Sequence, residues 1–278
     1  MSVWTIEDLN FLKENFNKYT KKELAKMLNK SNNAIQIKAN RLGLKREEKY
    51  YYNKKYFKDI LTSNQAYWLG FMYADGYVTS NKDKTKYTVG IELNKDDYGH
   101  LIKFNKCIGG NVPVIYRIRN GHKVVDHYIE KTEVCIIRLF CTEMAKDLIC
   151  HGCCENKSLI KKEPINVPDD LMHDFIRGYF DGNGSISYSY NKKVNKSYLR
   201  VTIETGSKDY ADWFSNYLNI IGYKNTCLKD KFAYKIQIHS KSNVNFLKYI
   251  YENSEVYLDR KYKKYLNAVY GEYNTSKP

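Results

Sequence analysis

The residues best suited to chemistry are the polar ones that end two short apolar runs. Asp75 and Asn183 each stand directly before a glycine, Gly76 or Gly184. A short apolar run of this kind predicts a buried helix that cannot span a membrane. The C-terminus of a helix carries partial negative charge and unpaired carbonyls. Adding the Asp75 carboxylate there predicts a site for a hard divalent cation with oxygen ligands, as in a nuclease.

The two apolar runs are altered copies of one another, which indicates an internal duplication. Residues 67–76 read YWLGFMYADG, and residues 175–184 read FIRGYFDGNG. Each copy has two small residues four apart, which puts them on one helix face. These small residues are Gly70 with Ala74 and Gly178 with Gly182. Two such helices can approach backbone to backbone, and each is predicted to end on a left-handed glycine.

Both stretches resemble the motif of the LAGLIDADG homing endonucleases, and the repeated layout covers roughly residues 60 to 270. The resemblance implies an α+β fold in which two αββαββα halves join their antiparallel sheets into a saddle that reads the major groove. We expect a first repeat over 63–163 and a second over 164–278. The predicted strands are 77–80, 87–94, 112–119 and 134–141, then 185–190, 198–205, 226–229 and 234–239. The predicted helices after each motif are 97–108 and 142–149, then 209–222, 240–251 and 258–269.

The resemblance also implies metal-dependent hydrolysis of one phosphodiester in each DNA strand. By position, Asp75 and the Ala74 carbonyl would hold metal in one half, and Asn183 and the Gly182 carbonyl in the other. Mg²⁺ is the expected ion, with Mn²⁺ as an alternative. Asn183 departs from the pattern, because an uncharged amide oxygen holds a hard cation more weakly. Asp181 cannot replace it, since two residues along a helix turn a side chain by about 200°. We therefore expect unequal strand rates or nicking.

Homing endonucleases also place basic residues near the scissile phosphates. Matching by segment assigns this position to Lys157 in the first half and to Lys261 in the second. A cation there could stabilise charge on the phosphate or hold the attacking water. The alternative interpretation is that both are ordinary surface lysines.

Residues 1–44 are predicted to form a separate unit of three short helices. Ser31 can cap the third helix and Gly43 can end it. The segment from Trp4 to Leu44 resembles the Myb-like helix-turn-helix modules appended to phage homing enzymes. The exposed side of the third helix would then offer amide and basic groups to the major groove. Those residues are Asn33, Gln36, Lys38, Asn40 and Arg41. A helical unit that contacts no nucleic acid is the alternative.

Further basic residues lie in a predicted linker and in turns between predicted strands. Residues 45–62 interleave lysines with tyrosines, which predicts either a linker lying on phosphates or a solvated tether. The hairpin turns of both repeats are also basic. The predicted DNA contacts in these segments are Lys54, Lys55, Lys82, Lys84, Arg117, Arg119, Lys192, Lys193 and Lys196.

The composition favours a polyanionic partner. The 278 residues include 46 Lys and Arg against 31 Asp and Glu, a formal net charge of +15. Such an excess favours DNA or RNA first and a membrane surface second. Because both motifs lie in one chain, a monomer acting on double-stranded DNA is expected.

The seven cysteines are an odd number, and neither a cleavable signal nor a long apolar run accompanies them. We therefore expect a cytoplasmic, DNA-associated protein with reduced thiols. The segment Cys150–Cys154 lacks a second ligand pair at zinc-finger spacing, so thiols near a helix end are predicted rather than a zinc site.

Three functions remain open at this point. The first is a site-specific homing endonuclease encoded by a mobile element. The second is a catalytically weakened DNA-binding regulator with the same fold, in which Asn183 marks decay. The third is an RNA maturase that helps an intron fold and does not need Asp75.

Overall fold

The computed structural model describes residues 4–47, 49–124, 127–230 and 233–271. The chain divides into two compact units, Met1–Tyr51 and Tyr52–Pro278. The ends of the predicted domains, 1–3 and 272–278, lie outside the described residues. Every helix within the described ranges is too short or too polar to cross a membrane.

The first unit is the predicted group of three helices. They are α1 (Ile6–Asn15), α2 (Lys21–Met27) and α3 (Asn32–Arg41). Ser31 caps α3 through its side chain, and Gly43 follows with a φ of +67°. Leu12, Leu24 and Ile35 are fully buried and form the centre of its core.

The second unit is built around two helices that pack against each other, α4 (Ser63–Ala74) and α7 (Met172–Asn183). A Cβ built on Gly70 would lie 1.9 Å from the Phe175 carbonyl oxygen. A Cβ on Gly178 would lie 1.9 Å from the Tyr67 carbonyl oxygen. Both distances are far inside van der Waals contact, so the two backbones meet at glycine, as the spacing predicts.

The prediction of left-handed glycines after α4 and α7 is wrong. Gly76 and Gly184 have no positive φ and instead begin the strands β1 (Gly76–Ser80) and β7 (Gly184–Asn191). The chain passes directly from helix to strand, so glycine is needed there for space. A Cβ on Gly76 would lie 2.7 Å from the Met72 Cα. A Cβ on Gly184 would lie 2.2 Å from the Phe180 ring.

Each half of the second unit contributes one four-stranded antiparallel sheet. The first half contains β2 (Tyr87–Asn94), β3 (Ile115–Arg119), the short hairpin β4 (His122–Val124) and β5 (His127–Ile129), and β6 (Thr132–Leu139). Its helices after α4 are α5 (Tyr98–Cys107) and α6 (Thr142–Cys150). The sheet order is β1-β2-β6-β3, and the β4–β5 hairpin was not predicted.

The second half repeats this arrangement. Its strands after β7 are β8 (Lys196–Thr205), β9 (Asn225–Asp230) and β10 (Ala233–Ile238). Its helices are α8 (Lys208–Ile220), α9 (Asn243–Tyr251) and α10 (Asp259–Tyr270). The sheet order β7-β8-β10-β9 matches that of the first half. The predicted α+β fold with duplicated halves is thus confirmed.

The predicted linker is shorter than 45–62, because its second part belongs to the second unit. The division between units falls at Tyr51, and Tyr56, Phe57 and Ile60 are buried in the core that follows. The Asn53 amide donates to the Ile108 carbonyl at 2.8 Å. Large apolar side chains in this stretch find core contacts, which a solvated tether would not provide.

Candidate active site at the paired helix ends

The C-terminal ends of α4 and α7 lie together. Asp75 caps α4, and Asn183 is the last residue of α7. A Cβ on Gly182 would lie 2.2 Å from the Ala74 Cβ and 3.3 Å from Asp75 Oδ2. The Asp75 carboxylate therefore sits beside the final turn of the opposite helix. We call this region, formed by residues 74–76 and 182–184, the helix tip.

Two predicted lysines lie buried at the helix tip. Lys157 is 7% exposed and donates to the Gly76 carbonyl. Lys261 is 4% exposed and donates to the carbonyls of Phe180 at 2.7 Å and Gly184 at 2.6 Å. The interpretation of these residues as surface lysines is therefore wrong. The Lys261 ammonium satisfies the Phe180 carbonyl in the last turn of α7. Both ammonium groups also bind the carbonyls of the first strand residues, Gly76 and Gly184.

A third buried cation, Lys161, was not predicted. Its ammonium donates to the Tyr73 carbonyl at 3.2 Å and to the Tyr179 hydroxyl at 2.9 Å, so it bridges α4 and α7. The Lys161 amide also donates to the Lys157 carbonyl at 2.9 Å, which shows a helical turn between them. The spacing of four from Lys157 is the one signal in the sequence that could have indicated it.

Burial and charge oppose each other at the helix tip. Burial raises the pKa of Asp75, while Lys261 and Lys157 act to lower it. Burial also lowers the pKa of Lys161 to about 8 and that of Lys261 to about 8. Three lysines thus act on the Asp75 carboxylate, and the Asp181 carboxylate also acts on Lys261. Basic groups remain in excess, which suits the tip to binding an anion such as a phosphate.

Asn183 has a fixed amide orientation. Its Nδ2 donates to the Tyr179 hydroxyl at 3.1 Å, which leaves Oδ1 as the remaining polar atom of the side chain. Asp181 is fully buried, and its carboxylate accepts from the hydroxyls of Tyr67 and Tyr251. Its oxygens are therefore engaged inside the core and do not replace a metal ligand at the tip.

The donor set at the tip is one carboxylate, one amide oxygen and main-chain carbonyls. Among the described residues, no group of three or more His, Cys, Asp or Glu side chains could hold a metal ion. Mg²⁺ typically keeps several waters and takes one or two carboxylates together with substrate phosphates. Asp75 therefore fits a magnesium ion whose other ligands are water and phosphate, and the tip does not form an all-protein cage.

The cysteine-rich segment after α6 does not resemble a zinc site. His151 is buried, with Nδ1 2.9 Å from the Ile165 carbonyl oxygen and Nε2 2.8 Å from the Phe57 carbonyl oxygen. Cys150, Cys153 and Cys154 are free thiols. Both imidazole nitrogens are thus engaged by the main chain.

The predicted DNA-contacting residues of the second unit fall into two groups. Arg117 and Arg119 line the cavity that contains Asp75, and both form ion pairs with Glu92. The remainder lie in strand hairpins or in the segment that precedes α4. Lys82, Lys84, Lys192, Lys193 and Lys196 are exposed in the β1–β2 and β7–β8 hairpins, Lys55 is exposed near Glu143, and Lys54 is partly buried.

Four of the five predicted DNA-contacting residues of the first unit lie on the side of α3 that faces away from its buried Ile35 and Ala39. Asn33, Gln36, Asn40 and Arg41 are exposed. Lys38 is partly buried, with its ammonium 5.3 Å from the centre of the Trp4 ring. The side chains of Gln36 and Asn40 bond to each other at 3.0 Å, so reading a base would require that bond to open.

Comparison with known proteins gives the class to which this architecture belongs. Residues 170–251 match the family described as LAGLIDADG-like domain. The homing endonuclease I-WcaI bound to its DNA recognition sequence is similar over 81% of this chain and 96% of that chain, with a TM-score of 0.53 and 18% identity. Residues 170–251 are therefore similar to a LAGLIDADG-like domain, and the chain has the homing endonuclease fold with duplicated halves.

Two further similarities cover less or are weaker. The structure of I-DmoI in complex with DNA and Mn matches over 73% of this chain and 99% of that chain, with 18% identity and a TM-score of 0.43. A reverse gyrase of Methanocaldococcus jannaschii is 32% identical over 105 residues, which is 36% of this chain. The match spans 6% of the reverse gyrase, so it concerns one segment of that protein.

Proposed function

We propose that the protein is a site-specific DNA endonuclease of the homing type that hydrolyses phosphodiester bonds with a divalent cation. The observation that carries this proposal is the Asp75 carboxylate held beside Gly182 among three buried lysines. A carboxylate supported by cations at the join of two duplicated halves suits a substrate with two equivalent backbones. The DNA-bound form of I-WcaI, which has the same fold, supports DNA as the substrate.

Asp75 with the Ala74 carbonyl would hold the cation in the first half. Mg²⁺ is our proposed ion, with Mn²⁺ able to replace it, because hard oxygen donors select such ions. When bound, the ion lowers the pKa of the water molecules bound to it and neutralises negative charge on the phosphate. Asp75 fixes the position of that chemistry, since it ends α4, a helix whose body is buried.

The lysines would raise the affinity of the tip for phosphate. Lys261 and Lys161 already donate to carbonyl or hydroxyl oxygens, so they act mainly through their charge and not as direct ligands. Their position in a largely buried site strengthens that charge relative to water. Negative charge developing on the scissile phosphate is thereby stabilised.

The two half-sites would act at unequal rates. Asn183 and the Gly182 carbonyl offer the second half only neutral oxygens, and Lys261 already approaches the Gly182 oxygen at 3.4 Å. A cation is held more weakly there than at Asp75. We therefore propose strand-biased cleavage that produces mainly nicked DNA.

DNA affinity would come from the exposed basic residues of both units and from the net charge of +15. Each lysine or arginine that neutralises a phosphate releases counterions, which makes binding strongly salt-dependent. The exposed residues of α3 would add base contacts in the major groove, as a helix-turn-helix module does. A monomer can supply all of these contacts, because both halves are in one chain.

The proposal is tested in two stages. Duplexes bound by the protein are first selected from a random library without divalent metal, and the selected site is placed in a supercoiled plasmid. The plasmid is then incubated with the protein and Mg²⁺. Open circles are the expected product. Uncut plasmid with a retained gel shift would overturn the nuclease proposal and favour the DNA-binding regulator. Tighter binding to folded intron RNA than to any selected duplex would favour the maturase.

A further inference from the structure

Asp181 is a fully buried carboxylate at the end of α7 that bonds to three other parts of the second unit. Its Oδ2 accepts from the Tyr67 hydroxyl at 2.7 Å and from the Leu258 amide at 2.8 Å. Its Oδ1 accepts from the Tyr251 hydroxyl at 2.5 Å. The residue thus ties α7 to α4, to the end of α9 and to the start of α10. Burying an acid without such partners would cost several kcal/mol.

The bond to Leu258 fixes the beginning of α10. Leu258 is the N-cap of that helix, and no side-chain hydrogen bond from Leu258 itself caps it. The Asp181 carboxylate takes that place, and negative charge is favourable at a helix N-terminus. The Leu258 carbonyl then accepts from the Lys261 amide at 2.9 Å. Leu258 therefore connects Asp181 to Lys261 through its amide and its carbonyl.

The first turn of α10 is held to the end of α7 at two points. Asp181 binds the Leu258 amide, and the Lys261 ammonium binds the carbonyls of Phe180 and Gly184 on either side of Asp181. The side chain of Lys261 can reach the helix tip only if α10 begins at this place. The bond from Leu258 to Asp181 holds this beginning from α7, while Asp259 and Arg260 pair with Lys103 and Asp97 on the other side of the helix start.

The first half uses a different side chain for the same task. Tyr73 occupies the position in α4 that corresponds to Asp181, two residues before the tip residue. Its hydroxyl donates to the His151 carbonyl at 2.6 Å, in the segment that leads to Lys157. A Cβ on Gly152 would lie 2.1 Å from that hydroxyl, so the segment passes closely over it. Both halves thus anchor the lysine-bearing segment from the same motif position.

We propose that Asp181 is a positioning residue, whose carboxylate places Lys261 at the helix tip by fixing the N-terminus of α10. This inference rests on the proposed nuclease function. Asp181 would then have a role separate from metal binding. Its replacement is expected to slow the chemical step while leaving the affinity for DNA within about twofold.

The activity test is a double-mutant cycle under single-turnover conditions. Asp181→Asn keeps the size of the side chain and one acceptor oxygen, and Lys261→Met removes the ammonium. We expect Asp181→Asn to lower the cleavage rate constant by about tenfold to 100-fold in the natural background. In the Lys261→Met background it should have no further effect. An equal loss in both backgrounds would overturn the proposal.

A second measurement does not depend on nuclease activity. Lys261 is acetylated with N-hydroxysuccinimidyl acetate and quantified by mass spectrometry, with exposed Lys263 as the internal reference. Asp181→Asn should raise the labelling of Lys261 by about fivefold or more, because the ammonium loses its fixed place. Tyr265→Phe, which removes a hydroxyl from the same helix, is the matched control and should leave it unchanged.

The two measurements separate the possible failures. If the natural protein does not cut DNA, the proposed function fails, and the labelling still decides whether Asp181 positions Lys261. If the natural protein cuts DNA and Lys261 labelling is the same with and without the Asp181 carboxylate, the positioning role is overturned. If Asp181→Asn does not fold, Tyr251→Phe takes its place, because it removes one hydrogen-bond donor to Asp181. This variant should also raise the labelling of Lys261, by less than Asp181→Asn would.

Discussion

Asn183 donates its amide hydrogen to the Tyr179 hydroxyl at 3.1 Å, one helical turn earlier on α7. The same hydroxyl donates to the Glu204 carbonyl at 3.2 Å and accepts from Lys161 at 2.9 Å. Toward residue 183 it therefore acts as an acceptor, which matches an amide and does not match an ionised carboxylate. The neutral residue in the second half-site is built into its surroundings.

Asn183→Asp is expected to increase cutting of the second strand. A carboxylate binds a divalent cation more strongly than an amide, and the Tyr179 hydroxyl would have to turn away from the Glu204 carbonyl to donate to it. We predict that the second-strand rate rises by about tenfold or more, so that linear plasmid accumulates. Asn183→Ala is the control and should still nick. An unchanged ratio of linear to open-circular DNA with Asp at this position would contradict the account of strand bias.

Gly178→Ala is expected to destabilise the second unit. The new methyl group would lie 1.9 Å from the Tyr67 carbonyl oxygen, where backbone and not a flexible side chain must move. Overpacking of this kind costs about 1–3 kcal/mol or more. The measurement is the urea midpoint of unfolding. Gly99→Ala in α5 is the control, because a Cβ there meets nothing within 4 Å. That control should be neutral or gain up to about 1 kcal/mol.

His100 is expected to make the fold sensitive to acid. It is 2% exposed, with Nε2 3.1 Å from the Tyr67 hydroxyl oxygen. Burial lowers the pKa of His100 well below 6.5, and the charges of Lys103 and Arg260 act in the same direction. Near pH 6.5 the His100 imidazole takes up a proton in the unfolded chain but not in the folded protein. The free energy of unfolding that is present above this pH is therefore lost as the pH falls.

The measurement is the free energy of unfolding at pH 6.5 and at pH 5.5 for the natural protein and for His100→Gln. Between these values the natural protein should lose about 1 kcal/mol more than the variant. The other histidines are present in both proteins and cancel in the comparison. Equal losses would show that His100 does not carry the effect.

Arg41→Ala is expected to weaken DNA binding through α3. Arg41 is exposed on the side of α3 that we propose for the major groove. Loss of one phosphate contact should reduce the slope of log affinity against log salt by about 1, and loss of a base contact should cost about 1–3 kcal/mol at one position of the site. Lys13→Ala on α1 is the control with the same charge change. If both variants bind alike, α3 is not the recognition helix.

The fold could be predicted from the sequence largely because of the duplicated motif. Small residues four apart indicated the close α4–α7 pair, and alternating strands after each copy indicated the two sheets. The strand Tyr87–Asn94 was predicted with its observed ends. Predicted and observed boundaries differ where a cap rather than periodicity ends an element. The last predicted strand of the first half is 134–141, whereas the observed strand is Thr132–Leu139, since Cys141 caps α6.

The errors have a common physical origin, because one residue type can serve two purposes. Glycine after a helix suggests a left-handed cap, and at Gly76 it instead allows the strand to leave closely past Met72. Lysine suggests a surface, and at Lys161 it fills the acceptors of a helix end. The segment that carries Lys157 and Lys161 has no regular periodicity. Its burial depends on carbonyls of distant helices, which local sequence does not reveal.

The role of the helix tip can be measured by comparing the natural protein with Asp75→Asn on one plasmid carrying the selected site. The rate of conversion of supercoiled to open-circular DNA is followed with Mg²⁺, and binding is followed by gel shift without it. We predict that Asp75→Asn lowers the rate by about 100-fold or more and leaves the gel shift intact, since the change removes the charge that holds the cation. Nicking at the natural rate without the Asp75 carboxylate would contradict the proposed active site.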